Sequence, residues 1–511
     1  MHTQSSKVVF KAYNTNQNLL LPPSLEEMIA ENHPVRVVNQ VIDHLDLEPL
    51  LNRYKGGGCS SYHPRLMLKV LIYGYLTNLY SSRKIAQALH ENIHFMWLSG
   101  MSYPEHNTIN RFRSERLKGI LKEIFSQVVL LLVDLGHVSL KQACLDGTKI
   151  EANANRYTFV WGQSIKNNKE KIKKQLKELW SYAELVAKEE MENNEPEDFE
   201  QIDAEKVRQT IAHIDQALSN KQVDKKVKKK LNYARKNWPE KLDRYDQQQK
   251  QMGDRNSMSK TDPDATFMRM KEDHIGNSQL KPAYNWQITT QNQYILGYTI
   301  HQTPADTTTL ITHMESLEQT LGQMPEDLIA DAGYGSEENY QFLEENEVEA
   351  FVKYNYFHKE QSEKWKQDPH RIENLYYNQQ QDCYYCPMGQ PMTFVQDKTI
   401  TSVNGYKQKL RLYQAQRCDG CPMRGACHKS KGNRIIEVNP KLLRYKQQAR
   451  ERLNSEKGLK YRSQRPADVE AVFGITKYNR NFRRFLLRGE EKVEIEAGLI
   501  SLAHNLLKMA G

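Results

Sequence analysis

Apolar positions along the chain change their spacing several times. From about Leu19 to Val138 they recur at helical intervals. Residues 65–76 are apolar nearly all round, which predicts a buried helix with Pro64 at its start. A serine-capped helix through Ile85 and Leu89 follows, then a short apolar segment at 95–98, then 106–113 after Pro104. Residues 138–154 switch to a strand around Leu145-Asp146-Gly147. From 164 to 252 the chain is highly charged, with narrow apolar seams at Ile172, Leu176, Leu179, Ala183 and Val186, and at Val207, Ile211, Ile214 and Leu218. These seams predict an antiparallel helical hairpin around the acidic loop 193–198. The basic run 223–231 reads as a solvated face, with phosphate contact as the alternative. After a turn at 261–264, strands are predicted at 284–290 and 294–300, then a helix capped by Asp306 and running through Leu321. The buried strand 328–330 ends at Asp331, a helix spans 337–345, and a strand spans 349–354. Pro466 fits a first helical position, and 495–509 is an amphipathic helix through Leu499, Leu502, Leu506 and Leu507.

Three sequential strands suggest a meander, and the later alternation of strand and helix gives parallel strands with helical crossovers. The predicted fold is α/β: an RNase H-like mixed sheet with helices on both faces, an all-α N-terminal domain and a charged helical-hairpin insertion. The expected units are a helical DNA-binding domain at 1–138 and a catalytic domain in three parts, 139–160, 258–357 and 455–511. The first gap holds the charged insertion, 161–257, and the second a cysteine-containing insertion, 358–454.

With 511 residues the chain exceeds what one core serves, so about two to four units are expected. The net charge of +9 permits a polyanionic partner without demanding one. The N-terminus lacks an apolar signal region, and the most apolar run, 128–133, is too short to span a bilayer, so a soluble cytoplasmic protein is expected. Seven cysteines, mostly in one region, suggest metal in place of disulfides.

Three acids stand in comparable settings. Asp146 lies inside the first strand, Asp331 where a buried strand opens into a Gly-rich turn, and Glu470 on a helix beyond the sheet. In an RNase H-like sheet these places converge. Three carboxylates repel one another without a cation, and oxygen-only ligation favours Mg²⁺ or Mn²⁺. Two such ions, about 3.5–4 Å apart, activate a water or 3′-hydroxyl and stabilise the leaving oxygen of a phosphodiester. Asp262 and Asp264 are rival carboxylates on a Pro-containing turn.

Cys383 and Cys386 form one CxxC pair and Cys418 and Cys421 another, the usual half-sites of a zinc ribbon, with Cys427 or His428 able to replace one ligand. Reduced thiols without metal are the alternative. Cys59 and Cys144 read as ordinary buried or free cysteines. The order from Ser82 to Arg113 resembles a helix-turn-helix unit whose second helix offers Asn107, Asn110, Arg111 and Arg113 to DNA, or else a plain three-helix packing unit. Arg480, Arg483, Arg484 and Arg488 continue a basic track.

The chain resembles the bacterial insertion-sequence DDE transposases over nearly its whole length. The residues that carry the likeness are Leu145-Asp146-Gly147-Thr148-Lys149, Ala330-Asp331-Ala332-Gly333-Tyr334 and Val469-Glu470-Ala471-Val472-Phe473-Gly474 with Lys477. The resemblance implies that Asp146, Asp331 and Glu470 are the metal-binding triad and that Lys477, seven residues after the Glu, serves it. Tyr461 and Arg465 stand slightly further from the Glu than the family's common spacing, which leaves their accessory role open. The resemblance also implies a helical domain that binds the element's terminal inverted repeats, and action as a multimer, such as a homodimer. A purely hydrolytic nuclease of the same fold and a non-catalytic DNA-binding relic are the competing functions.

Overall fold

The computed structural model describes residues 23–54, 60–191, 199, 202–270 and 279–511. The glycine loop at 56–58, Cys59, the acidic loop 193–198 and the residues before 23 lie outside this set. The first layer is helical: Pro34–His44, Pro64–Leu76, Ser82–Glu91, Ile93–Leu98, His106–Arg111 and Leu121–Asp134. Pro64 occupies the first turn of its helix, where a missing N–H costs nothing, and the helix is buried from Val70 to Leu76. This layer shares one continuous hydrophobic core with the sheet and the last helix, Glu490–Ala510, so it is packed onto the rest of the chain.

The main sheet has five principal strands: β1 Gln142–Glu151, β2 Leu280–Gln291, β3 Tyr294–His301, β4 Asp327–Ala330 and β5 Glu349–Val352. Their spatial order is β3-β2-β1-β4-β5. The first three pair antiparallel, while β4 pairs parallel with both β1 and β5. This is the RNase H-like mixed sheet. A short strand, Thr266–Arg269, lengthens the outer edge of β2. Helices cover both faces, as two neighbouring residues of β3 establish. A Cβ on Gly297 would meet Leu317 of helix Leu310–Leu321 at 2.5 Å. Its neighbour Tyr298, which points the other way, lies against Gly498 of the last helix, where an added Cβ would meet its hydroxyl at 2.2 Å.

The charged insertion is a three-helix bundle in place of the predicted hairpin. Helices Gly162–Val186 and Ala204–Ala217 are joined by Lys225–Met252, which buries Leu231, Ala234, Trp238 and Leu242 in the same small core. Four apolar residues in a long basic helix are enough to dock it. The second insertion is a five-stranded antiparallel sheet: β6 Tyr376–Asn378, β7 Cys383–Tyr385, β8 Pro391–Thr401, β9 Lys407–Ala415 and β10 Ile435–Val438. Among the described residues no helix is long and apolar enough to cross a membrane.

Candidate active site

Leu145 of β1 pairs with Ala330 of β4, and Ala330 with Val352 of β5. The next residues along are therefore Asp146, Asp331 and Lys353, which stand in a row where β4 and β5 end beside the middle of β1. Lys353 Nζ lies 3.2 Å from Asp331 Oδ1. Burial alone would push the Asp331 carboxyl up, but the charges of Arg465 and Lys353 outweigh it and hold it below its usual value. Asp331 and Glu470 are each about half exposed at the side chain, whereas Asp146 is more enclosed.

Glu470 reaches this row through Arg465. The buried guanidinium donates to Glu470 Oε1 at 2.8 Å and stands 3.3 Å from Asp146 Oδ1. Arg465 ends helix Glu456–Arg465, and a π-turn, Pro466–Glu470, continues it. The sequence predicted a helix start at Pro466, but the helix runs through it. Proline lacks an N–H and crowds the preceding turn, and a widened turn accommodates both. Ala471–Gly474 is α-helical, and a second π-turn, Ile475–Asn479, carries Lys477. Tyr461 is not at the acids: its hydroxyl donates to Asp327 Oδ2 at 2.7 Å at the other end of β4. Lys457 binds Asp327 and Glu349 there, so this end of the helix is pinned to the sheet.

Sequence reasoning missed a layer of support beneath the acids. The hydroxyl of buried Tyr334 donates to Gln287 Oε1. Gln287 Nε2 donates to Asp306 Oδ1 at 3.0 Å and Asn285 Nδ2 to the same oxygen at 2.8 Å. Burial, then the nearby carboxylates Asp306 and Asp146, push the Tyr334 hydroxyl up, so it stays a donor. Gln287 pairs with Gly147, where a Cβ would come within 2.1 Å of Nε2. The glycine after Asp146 is therefore a requirement of close approach, and it was the one available sequence signal. Asp306, expected as a helix cap, spends its carboxylate on this network.

The donor set is all oxygen and three acids strong, which fits a hard divalent ion in kind. Among the described residues no three His, Cys, Asp or Glu side chains are drawn together closely enough to hold a metal. Arg465 supplies the positive charge that the like-charged acids need.

Other candidates resolve differently. Asp262 is buried and accepts from Tyr284 and from Gly489 N–H, and Asp264 accepts from Glu490 N–H. Both clamp the N-terminus of the last helix, where a carboxylate suits the dipole, and neither joins the acids. Asn107, Asn110 and Arg111 are exposed on helix His106–Arg111. Arg113 is a correction: it is buried, donating to Tyr75 Oη at 3.0 Å and Tyr80 O at 2.8 Å, and presents nothing to DNA. Its position on the π-turn Phe112–Arg116 rotates it inward. Arg480 is likewise buried, donating to Ala503 O at 3.3 Å, and Lys477 is buried too, so neither belongs to an exposed basic track. Arg484 is exposed, yet its guanidinium holds the carbonyls of Ala152 and Ala154 just past β1.

The cysteine pairing expected from spacing is also corrected. Cys383 and Cys386 are three residues apart at the end of an extended strand, so they face opposite sides. Tyr384 and Cys386 turn toward the core that contains Cys418. Cys383 is buried on the other side, near Gln381 and Tyr385. The described cysteines are all free.

Two family models match the chain. One, described as Transposase DDE domain, matches residues 385–510, which include Glu470 and the last helix. The other, Transposase domain (DUF772), matches residues 23–115 of the helical layer. No curated protein matches the chain.

Proposed function

We propose, for a chain that belongs to the DDE transposases of insertion sequences, that Asp146, Asp331 and Glu470 form the site that cuts the ends of a mobile DNA element and joins them to target DNA. The observation that carries this reading is the row of Asp146 and Asp331 on adjacent parallel strands, with Glu470 tied to it through Arg465. The same three residues would hold Mg²⁺ or Mn²⁺, as a pair of ions. Bound there, the ions would supply an activated hydroxyl nucleophile and charge neutralisation at the leaving oxygen. Arg465 orients Glu470 and Asp146, and Lys353 orients Asp331. Lys477, on the π-turn beyond Glu470, takes an accessory role beside it. Asn107, Asn110 and Arg111 are the exposed groups that would contact the terminal inverted repeats, amides reading base edges and the arginine binding phosphate or guanine. The working unit would be a homodimer, so that two ends are handled together.

Cleavage and strand transfer on paired element ends test this reading. Asp146→Asn, Asp331→Asn and Glu470→Gln should each abolish both steps in Mg²⁺ while end binding persists, since an amide supplies neither charge nor bridging oxygens. An amide variant that cleaves at the wild-type rate removes that residue from the site. Cleavage without strand transfer in the wild-type protein would favour a hydrolytic nuclease, and end binding without cleavage a non-catalytic relic.

A further inference from the structure

The second sheet ends in a cavity that this chemistry does not use. It measures about 20 Å³, room for a single ion or water. Four thiols line it: Cys386, Cys418, Cys421 and Cys427. They arrive on three separate turns. Cys386 opens a tight turn closed by Gly389 N–H donating to its carbonyl at 2.8 Å, with Gly389 at φ 75°. Cys418 and Cys421 flank Gly420 at φ 70°, and Cys421 N–H faces Cys418 O at 3.4 Å. Cys427 ends the single helical turn Arg424–Cys427.

Arg434 supplies donors to two of these sulfurs. Arg434 N–H points at Cys418 Sγ at 3.3 Å, and the Arg434 guanidinium at Cys427 Sγ at 3.1 Å. Both sulfurs therefore accept from polar donors at the edge of the cavity. His428 lines the same cavity, with Nδ1 2.7 Å from Ser430 Oγ and Nε2 buried without a partner. An unpaired buried nitrogen is costly, and it marks the cavity as one that suits a polar or charged occupant.

We infer that Cys386, Cys418, Cys421 and Cys427 bind one structural zinc ion, and that Cys383 takes no part. Sulfur donors select zinc over the hard ions of the acid site, and four of them close the coordination shell. Each thiol gives up its proton to solvent as it binds, so affinity rises with pH. Among the described residues these thiols do not stand at ligation distance of one point, so the ion would have to draw the three turns together. The gain is stability for a sheet whose core rests on few large residues, chiefly Tyr384, Met392, Tyr413 and Ile436.

The test uses the full-length protein, purified reduced from zinc-replete culture without chelator. Elemental analysis should find about one zinc per chain. Cys386→Ser, Cys418→Ser, Cys421→Ser and Cys427→Ser should each lose it, while Cys383→Ser, Cys144→Ser and Asp146→Asn keep it. Should a serine variant fail to fold, titration of the wild-type protein with an organomercurial and a zinc-sensitive dye decides: zinc release should track modification of four thiols. Absence of zinc, loss of zinc in Cys383→Ser, or retention in Cys427→Ser with loss in His428→Ala overturns the assignment.

Discussion

Arg465 and Glu470 are five residues apart and touch, guanidinium to carboxylate, at 2.8 Å. On an α-helix a separation of five turns two side chains about 140° apart. The π-turn Pro466–Glu470 takes up the extra residue and returns both to one face. Such turns recur at functional sites because they re-aim a side chain without ending the helix. The off-pattern spacing that left Arg465 in doubt is thus accounted for by local geometry.

Arg465 should therefore matter to chemistry and to metal affinity in opposite senses. Arg465→Ala frees Glu470 to wander and should slow end cleavage by about 100-fold, the scale of a misplaced catalytic group. It also removes the cation that touches two of the three acids, so Mn²⁺ should bind more tightly, by roughly 3- to 10-fold. Arg465→Lys, a point charge that cannot fork between two acids, should fall between the two. Cleavage rates at saturating Mg²⁺ and calorimetric Mn²⁺ titration check this. Weaker Mn²⁺ binding in Arg465→Ala would refute it.

Gly147→Ala tests the layer beneath the acids. Its methyl group would meet buried Gln287 at 2.1 Å, forcing that side chain off Asp306 and Tyr334. A loss of about 1–3 kcal/mol, typical of overpacking, is expected, with reduced cleavage. Gly147→Ala with Gln287→Ala should recover part of the stability, because the clash is gone. Denaturant unfolding of Gly147→Ala, Gln287→Ala and the double variant measures the coupling. Strict additivity would show that the two residues do not compete for space.

Much of this was legible in the sequence because it rests on period and punctuation. The strand order around Asp146 and Asp331 follows from apolar runs ending in acid and glycine, and Ser336 caps its helix as its position suggests. What could not be read depends on rotation. A π-turn leaves no periodic trace, so Arg113 looked like a surface arginine and Pro466 like a helix start. Strand alternation separates Cys383 from Cys386, although spacing alone makes them a pair. The third helix of the charged bundle was hidden because Trp238 and three smaller residues suffice to dock it.

Two buried histidines, His313 and His504, and the partly buried His301 should make stability depend on pH. Burial lowers His301 and His504 to about 4 and His313 to about 3. The unfolded chain binds their protons first as pH falls below about 6.5, so each contribution is complete above that value and is lost as pH drops toward the folded value. Each group adds at most about 1.4 kcal/mol per pH unit in that window. Asp262, Glu490 and Glu496, pushed up by burial, act in the opposite sense. The prediction is therefore read as a difference. His504→Gln, which keeps a donor for Gln293 O, should lose less stability between pH 7 and pH 5 than the wild type, in unfolding titrations at fixed ionic strength. Equal losses would mean His504 titrates normally in the fold.

Arg111 and Arg113, two residues apart, should separate DNA binding from folding. Arg113 lies between Tyr75 and Asn110, and the Tyr75 hydroxyl relays it to Glu496, which is fully enclosed in the last helix. Glu496 also accepts from Leu486 and Leu487 N–H at 2.8 and 3.1 Å. Burial pushes its carboxyl up, and the Arg113 charge works against that. Removing the arginine leaves a buried acid without its cation, a loss of roughly 3–5 kcal/mol. Arg113→Ala should lower the unfolding midpoint sharply, and any weakening of end binding should follow the folded fraction. Arg111 is exposed, so Arg111→Ala should change stability by less than about 0.5 kcal/mol. As a phosphate contact it should weaken binding to the element's ends and reduce the salt slope by about 1. Mobility-shift titrations at several salt concentrations, paired with unfolding curves, distinguish the two residues. If Arg113→Ala is as stable as wild type and binds DNA less tightly with a shallower salt slope, the buried network is not its role.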